Sequence, residues 1–349
     1  MTSKERIKKA LKFKKVDYIP VFTNKRAMGP ALIGRKVDRE LYRDAEALAK
    51  SALAIWEEVQ DDAYLLGGTS SVQLGLGCKL KWPGNDHPCF GEATVTTRED
   101  VEKLEVPDPH KNEFMSAMIE AVSIVKKQGN PDVPIRISWH GVFNNLSRLL
   151  GVERMMNWLI TDMDSVHILC KKIVETQIAY GKALKEAGLD ILEIGDAMSG
   201  PGVVSPKITF EVGNKYHHDE VAALKEAGLI TMFHQCGGEY PIIDHIRDVD
   251  ADVFWFSELV DISVAQKIFY KRYAVSGGMD PTNILYLETP EGVDAEVKRI
   301  FSGLKHRSGV ILQPGCGLSS NIPVKNLKAM TEAARRYSEL AGVKKVKDD

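Results

Sequence analysis

Two stretches, "LKEAGLDILEIGD" at residues 184–196 and "LKEAGLITMFHQC" at residues 224–236, decide the fold. Both begin with the hexapeptide Leu-Lys-Glu-Ala-Gly-Leu. In each, a helix-forming run closes on a glycine, Gly188 or Gly228, placed as a left-handed cap, and an apolar run begins within a few residues. The offset of 40 residues is the length of one strand-and-helix unit with its loops. Helix alternating with strand predicts a parallel sheet.

Working outward, further apolar runs bounded by turn residues occur at 18–22, 63–67, 134–140, 253–258, 273–280 and 309–317, which makes eight. Helical patterns separate most of them, at 41–59, 113–128, 163–187, 206–227, 240–249, 290–304 and 323–341. Eight near-continuously apolar strands separated by helices predict a (β/α)8 TIM barrel, one domain over residues 1–349. An open doubly wound sheet is the alternative, but no glycine-rich dinucleotide fingerprint comes after the first strand. Residues 68–107 fall outside the repeat; "PGND" at 83–86 lies between two strand-like arms, so a hairpin is expected as a lid-like insertion after the second strand. The charged tail "KKVKDD" is expected to fray.

A net charge of −2 with no basic block speaks against nucleic acid as a partner. The amino terminus is charged and helix-patterned, unlike a secretory signal. No run of about 18 apolar residues exists to span a membrane. A cytoplasmic location is expected, and the five scattered cysteines fit reduced thiols or metal ligands better than a disulfide framework. A homo-oligomer is compatible with the sequence.

In barrels of this kind chemistry sits at the carboxyl ends of the strands. Those ends carry His140, Asp196, His234 with Cys236, Glu258, Asp280 and Cys316. His234 and Cys236, two residues apart in an extended strand, point to one face. Cys316 comes 80 residues later, between two glycines at the end of the last strand. One histidine and two thiolates make a three-ligand zinc set with an open fourth position, as catalytic zinc is held. Taken alone, His-x-Cys is as readily a packed core pair; "PGCG" at the matching strand end and the flanking glycines favour the metal. Cys170 is assigned to packing, Cys89 and His87 to an incidental pair in the lid, His217 and His218 to a solvated helix face, and His167 and His245 to helices without function.

The pairing of "MFHQCGG" with "LQPGCGL" resembles the zinc motif of methylcorrinoid:coenzyme M methyltransferases, members of the uroporphyrinogen decarboxylase superfamily of barrels. "LKFKKVDYIPV", "EIGDAMSGPGVVSP", "SGGMDPTNIL" and "NIPVKNLKAM" extend the likeness over nearly the whole chain. The resemblance implies zinc on His234, Cys236 and Cys316, with Asp196 and Glu258 at the pocket rim. It also implies methyl transfer between a small molecule and the cobalt of a partner corrinoid protein. The corrinoid is expected on the partner, since no Asp-x-His-x-x-Gly stretch occurs here. Porphyrinogen decarboxylases carry paired arginines after the first strand and an aspartate after the second; "FTNKRAMGP" and "LLGGTSSV" stand there instead. Decarboxylation, or tetrapyrrole binding without turnover, therefore stays a further alternative. Trp139, Phe143, Asn144 and Asp280 are placed in the substrate pocket, and Glu258, Asp196 and His140 in orienting or proton-transfer roles. An aromatic wall tips the expectation toward O-demethylation of methoxylated aromatics. Two thiolate ligands favour the rival reading, a thiol acceptor.

Overall fold

The computed structural model describes residues 1–244 and 246–342; His245 and the charged tail lie outside them. Nine strands are present among the described residues. β1 (Tyr64–Leu65), β4 (Ile135–His140), β5 (Ile191–Gly195), β6 (Ile230–His234), β7 (Val253–Trp255), β8 (Ala274–Met279) and β9 (Val310–Pro314) form one parallel sheet in that order. β2 (Leu80–Lys81) and β3 (Cys89–Phe90) pair antiparallel as the inserted hairpin.

The run expected as the first strand, 18–22, is reduced to a single bridge. Val21 pairs in parallel with Leu312 of β9, and Phe22 N–H donates to the Leu312 carbonyl at 2.9 Å. On its other side the Val21 carbonyl accepts from Asp62 N–H at 3.0 Å, while Val21 N–H donates to the Asp62 carboxylate at 2.9 Å. Pro20 has no N–H to give a ladder, and a side chain has replaced backbone on the other edge. The barrel is thus seven strands closed by one residue.

The helices Glu113–Gln128 and Met163–Ala187 match their expected limits, capped by the side chains of Asn112 and Asp162. Gly188 and Gly228 close their helices at φ 121° and 87°. Two expectations need correction. The span 206–227 is interrupted by a π-helical turn, Thr209–Asn214, before the helix Lys215–Glu226. Among its described residues the span 240–249 holds short 3-10 turns, Tyr240–Ile242 and Ile246–Val249, in place of the expected helix. Helices at Val142–Leu150, Val152–Thr161 and Ile262–Phe269 were unexpected, being short and close to strand ends. No described helix is long and apolar enough to cross a membrane.

Alternation along the strands fills the barrel in layers. Ile191, Met232, Val253, Ala274 and Ile311 join Phe22 and Ile7 in an apolar floor. Above it lies a polar layer with no solvent exposure, built on Arg136, Glu193, Gln313, Ser276 and Asn24. Arg136 ion-pairs with Glu193 and donates to the Thr23 carbonyl at 2.8 Å. Gln313 donates to Glu193 at 3.1 Å and to Asn24 at 3.2 Å. Removing one partner of such a pair strands the other charge without water. Glu193→Ala should therefore cost about 3–5 kcal/mol, read as a lower urea midpoint at unchanged slope.

Candidate metal centre and catalytic mouth

The end of β6 delivers His234 inward, on the same side as Met232. Its Nδ1 lies 2.8 Å from the Trp255 carbonyl. A carbonyl only accepts, so Nδ1 carries the proton and Nε2 is the nitrogen turned toward the cysteines. Nε2 is 2.7 Å from Cys236 Sγ, which is 3.4 Å from Cys316 Sγ. The three donor atoms lie within 4.8 Å of one another. The Trp255 ring stacks on the imidazole, centroids 4.0 Å apart, and its indole N–H donates to the Pro314 carbonyl at 2.8 Å. One tryptophan thereby fixes the histidine and the strand end leading to Cys316.

Glycines make the approach of these loops feasible. A Cβ on Gly200 would fall 2.4 Å from the Cys236 carbonyl, and one on Gly315 would fall 2.2 Å from Glu258 N. Asn24 donates to the Cys316 carbonyl at 2.9 Å, which ties the cluster to the polar layer below. A hydrogen bond from Cys236 pulls the Cys316 thiol down to about 4, with His234 adding to it and burial opposing. That same contact, then burial, pushes Cys236 up. The two sulfurs are close enough for one to donate a hydrogen bond to the other.

Of the other expected site residues, Glu258 is exposed at the mouth with its carboxylate against Gly315. His140 points inward from β4, half-buried, its Nδ1 3.4 Å from the Asn144 amide. Burial, then the charges of Arg148, Arg26 and His87, push its imidazole down to about 3. Asn144 also donates to the Gly195 carbonyl at 2.9 Å, so it steadies His140 on β5.

Asp196 is fully buried, and its carboxylate is occupied. It accepts from Phe143 N–H at 2.7 Å and Asn144 N–H at 2.8 Å, holding the start of the helix Val142–Leu150, and it lies 2.8 Å from His217 Nε2. His217 is thus buried, not solvated as expected; His218 is the exposed neighbour. The ring nitrogen is close to the carboxylate without hydrogen-bond alignment, so the contact is a buried ion pair. Trp139 faces away from the barrel, donating to Glu220 at 3.0 Å and stacking on Tyr180. Phe143 is buried in the same outer core. Asp280 caps its own loop through Thr282 N–H and Asn283 N–H, each at 2.8 Å. Of the aromatic wall anticipated from Trp139, Phe143 and the run 253–258, Trp139 and Phe143 are therefore not at the mouth, while Trp255 is, stacked on His234.

Several neighbours of the cluster escaped the sequence reading. Asn24 stands on the segment that enters the mouth without strand structure, and no spacing marks it; Arg26 beside it was noted only as standing where decarboxylases carry paired arginines. His217 had a signal, since His217, Glu220, Val221 and Leu224 recur at helical spacing and all are buried. Cys170 is buried and Cys89 exposed, as expected of packing and surface thiols. His167 meets the Tyr216 hydroxyl at 2.8 Å.

A parallel barrel with an imidazole and two thiols gathered at its carboxyl mouth defines a (β/α)8 enzyme with a metal-capable centre. The chain belongs to the uroporphyrinogen decarboxylase (URO-D) family, whose pattern matches residues 2–337. It is 26% identical to methylcobamide:CoM methyltransferase MtaA of Methanosarcina barkeri, covering 96% of this chain and 98% of that protein. Identity is also 26% to a uroporphyrinogen decarboxylase of Erwinia tasmaniensis, with 96% and 97% covered. The structure of a methyltransferase from Methanosarcina mazei superposes with a TM-score of 0.87 at 25% identity, over 97% of this chain and 99% of that one.

Burial opposes a charge on His217, yet contact with Asp196 and then Glu220 outweighs it and raises the imidazole from 6.5 to about 9. A raised value means the pair's stabilisation is complete below pH 6.5 and is lost as pH rises through about 9. Urea unfolding at pH 6 and pH 9.5 should show that loss, and His217→Phe should flatten it; an equal pH slope in the variant would refute the pairing.

Proposed function

We propose that this protein is a zinc-dependent methyltransferase that moves a methyl group between a small thiol and the cobalt of a separate corrinoid protein. The observation that carries this reading is the cluster of His234, Cys236 and Cys316. Its donor set fits zinc: one imidazole oriented by the Trp255 carbonyl, two sulfurs 3.4 Å apart, and a side open to the mouth. The names of the relatives and of the superposed structure support methyl transfer, although uroporphyrinogen decarboxylases are equally similar in sequence. Against decarboxylation stand Lys25, buried in an ion pair with Asp61, and the end of β1, which carries no acid.

Bound zinc would hold the acceptor sulfur as a thiolate near neutral pH. Once its proton is released, that thiolate would be the nucleophile toward the methyl carbon brought by the partner, both electrons of the carbon–cobalt bond going to cobalt. Glu258, exposed beside Gly315, is the carboxylate placed to receive that proton. His140, kept neutral and steadied by Asn144, offers a hydrogen bond to substrate without adding charge. Asp196 acts through the helix Val142–Leu150 as a positioning residue. The cobalt arrives on its partner protein at the open face, and the reaction belongs in a reducing cytoplasm where the two thiols persist.

A methoxylated aromatic as methyl donor is the second reading. It rested on aromatic residues of the third and sixth expected strands; Trp139 and Phe143 are turned into the outer core while Trp255 lies at the cluster, and the soft donor set favours the thiol.

Purified protein should contain about one zinc per chain, measured by plasma mass spectrometry. His234→Ala and Cys316→Ser should each lose the metal, and methyl transfer between methylated corrinoid protein and a thiol panel should fall by roughly 100-fold or more. Metal content unchanged in both variants would end the assignment. Carbon dioxide released from uroporphyrinogen by metal-free protein would restore the decarboxylase.

A further inference from the structure

The end of the barrel away from the cluster carries charge that the fold does not use. A cavity of about 530 Å³ opens there beside the first helix, Ser3–Leu11. Its floor is apolar, made by Ile7, Leu11, Ile191 and Ile230. A second cavity of about 370 Å³ continues it onto Val133 and Leu189, with Lys4, Lys185 and Asp190 lining both. Together they form one trench across the amino ends of β4, β5 and β6.

Lysines rim this trench. Lys4, Lys8 and Lys12 follow at the four-residue spacing that puts side chains on one face of a helix, and all three are exposed. Lys126 and Lys185 come from the ends of two other helices. Their stems lie over the glycines that cap the next helices: a Cβ on Gly188 would fall 2.3 Å from Lys126 Cδ, and one on Gly228 would fall 3.5 Å from Lys185 Cε. The second Leu-Lys-Glu-Ala-Gly-Leu repeat shows what such a lysine does when the fold needs its charge, since Lys225 donates to the Asp250 carboxylate at 2.9 Å and to its carbonyl at 2.6 Å. The counterpart, Lys185, has no ion pair among the described residues, and neither do Lys8, Lys12 and Lys126. Only Lys4 reaches an acid, Asp190 at 3.4 Å. The other acid of the trench, Asp252, is held by the N–H and hydroxyl of Thr231, at 2.9 and 3.1 Å. Five ammonium groups against two carboxylates leave three positive charges in excess, in a chain whose net charge is −2.

We propose that this trench docks an acidic segment of a partner protein, one in which carboxylates flank a few apolar side chains. Several negative groups are needed to match the excess charge, and an apolar floor is matched by aliphatic side chains, which a sugar–phosphate backbone lacks. The trench lies at the opposite end of the strands from His234, Cys236 and Cys316, so the mouth stays open while the segment is bound. Docking here does not depend on what the mouth catalyses.

Fluorescence anisotropy of the full chain with a labelled peptide of repeating Glu-Leu-Glu tests the docking. That peptide should bind at least tenfold more tightly than the same peptide with Gln for Glu, and than oligoglutamate of equal charge. Added salt should weaken it, because exposed charges are screened. Joint replacement Lys8→Gln, Lys12→Gln and Lys185→Gln should bring the Glu and Gln peptides close to equal, whereas Lys50→Gln, Lys215→Gln and Lys267→Gln together should not. Hydrogen exchange should place the protection on the helix Ser3–Leu11. Equal binding of the two peptides by the unaltered protein overturns the proposal, and that comparison stands even if the triple variant does not fold. A full preference in the folded trench variant, or protection elsewhere, overturns it too. Tighter binding to phosphatidylglycerol vesicles or to duplex DNA than to the peptide overturns it in favour of a lipid or nucleic-acid face. Methyl transfer by a chain that fails these comparisons would leave the earlier reading intact.

Discussion

The structure turns on an ion pair placed where ion pairs are costly. Arg136 and Glu193 meet in the middle of the barrel with no solvent exposure, where neighbouring hydrogen bonds offset part of the desolvation while Arg136 Nε and Glu193 Oε2 are left without a partner. Here the surrounding groups are those the fold needs to hold. Arg136 grips the Thr23 carbonyl, Gln313 joins Glu193 to Asn24, and Asn24 holds Cys316. The segment 18–25 has one bridge where a strand would have a ladder. Side chains from Asp61, Asp62 and Arg136 replace the missing backbone bonds. The polar layer therefore both closes the barrel and carries one wall of the metal-capable centre.

Chemistry at the mouth is set by parity. Parity along β6 sets Met232 and His234 on the inner side, with Cys236 in the loop just beyond, while the same rule on β4 sends His140 in and Trp139 out. Trp255 turns inward on β7 and settles the tautomer of His234 through its carbonyl. The outer residues are not idle. Trp139, Glu220, His217 and Asp196 form a buried chain between sheet and helices that fixes the helix bearing Asn144. A group at a strand end can serve the site from behind.

Much of this was legible in the sequence because it depends on local signals. Repeated "LKEAGL" units, glycine caps and apolar runs set seven of the eight barrel positions, and "HQCGG" with "PGCG" named the three donors that the structure gathers. The remainder depends on events that a periodic reading cannot see. The π-helical turn Thr209–Asn214 adds a residue to one turn, rotating all later side chains by about 100°. An uninterrupted helix over 206–227 therefore mistakes the face of His217. The eighth strand failed because Pro20 and Asp62 act together across 42 positions. Arg26 and His87 meet only once the hairpin has folded over the mouth.

The contact between Asn24 and the Cys316 carbonyl spans 292 positions, and Ile19 N–H reaches Ser338 across 319. Both ends of the chain must be present before either contact exists. During synthesis from the amino end, β6 can present His234 and Cys236 early, but the third donor emerges 80 residues afterwards. The three-donor centre is therefore among the last features to assemble. A chain that has gathered all three donors has, by that fact, brought its last strand into the barrel.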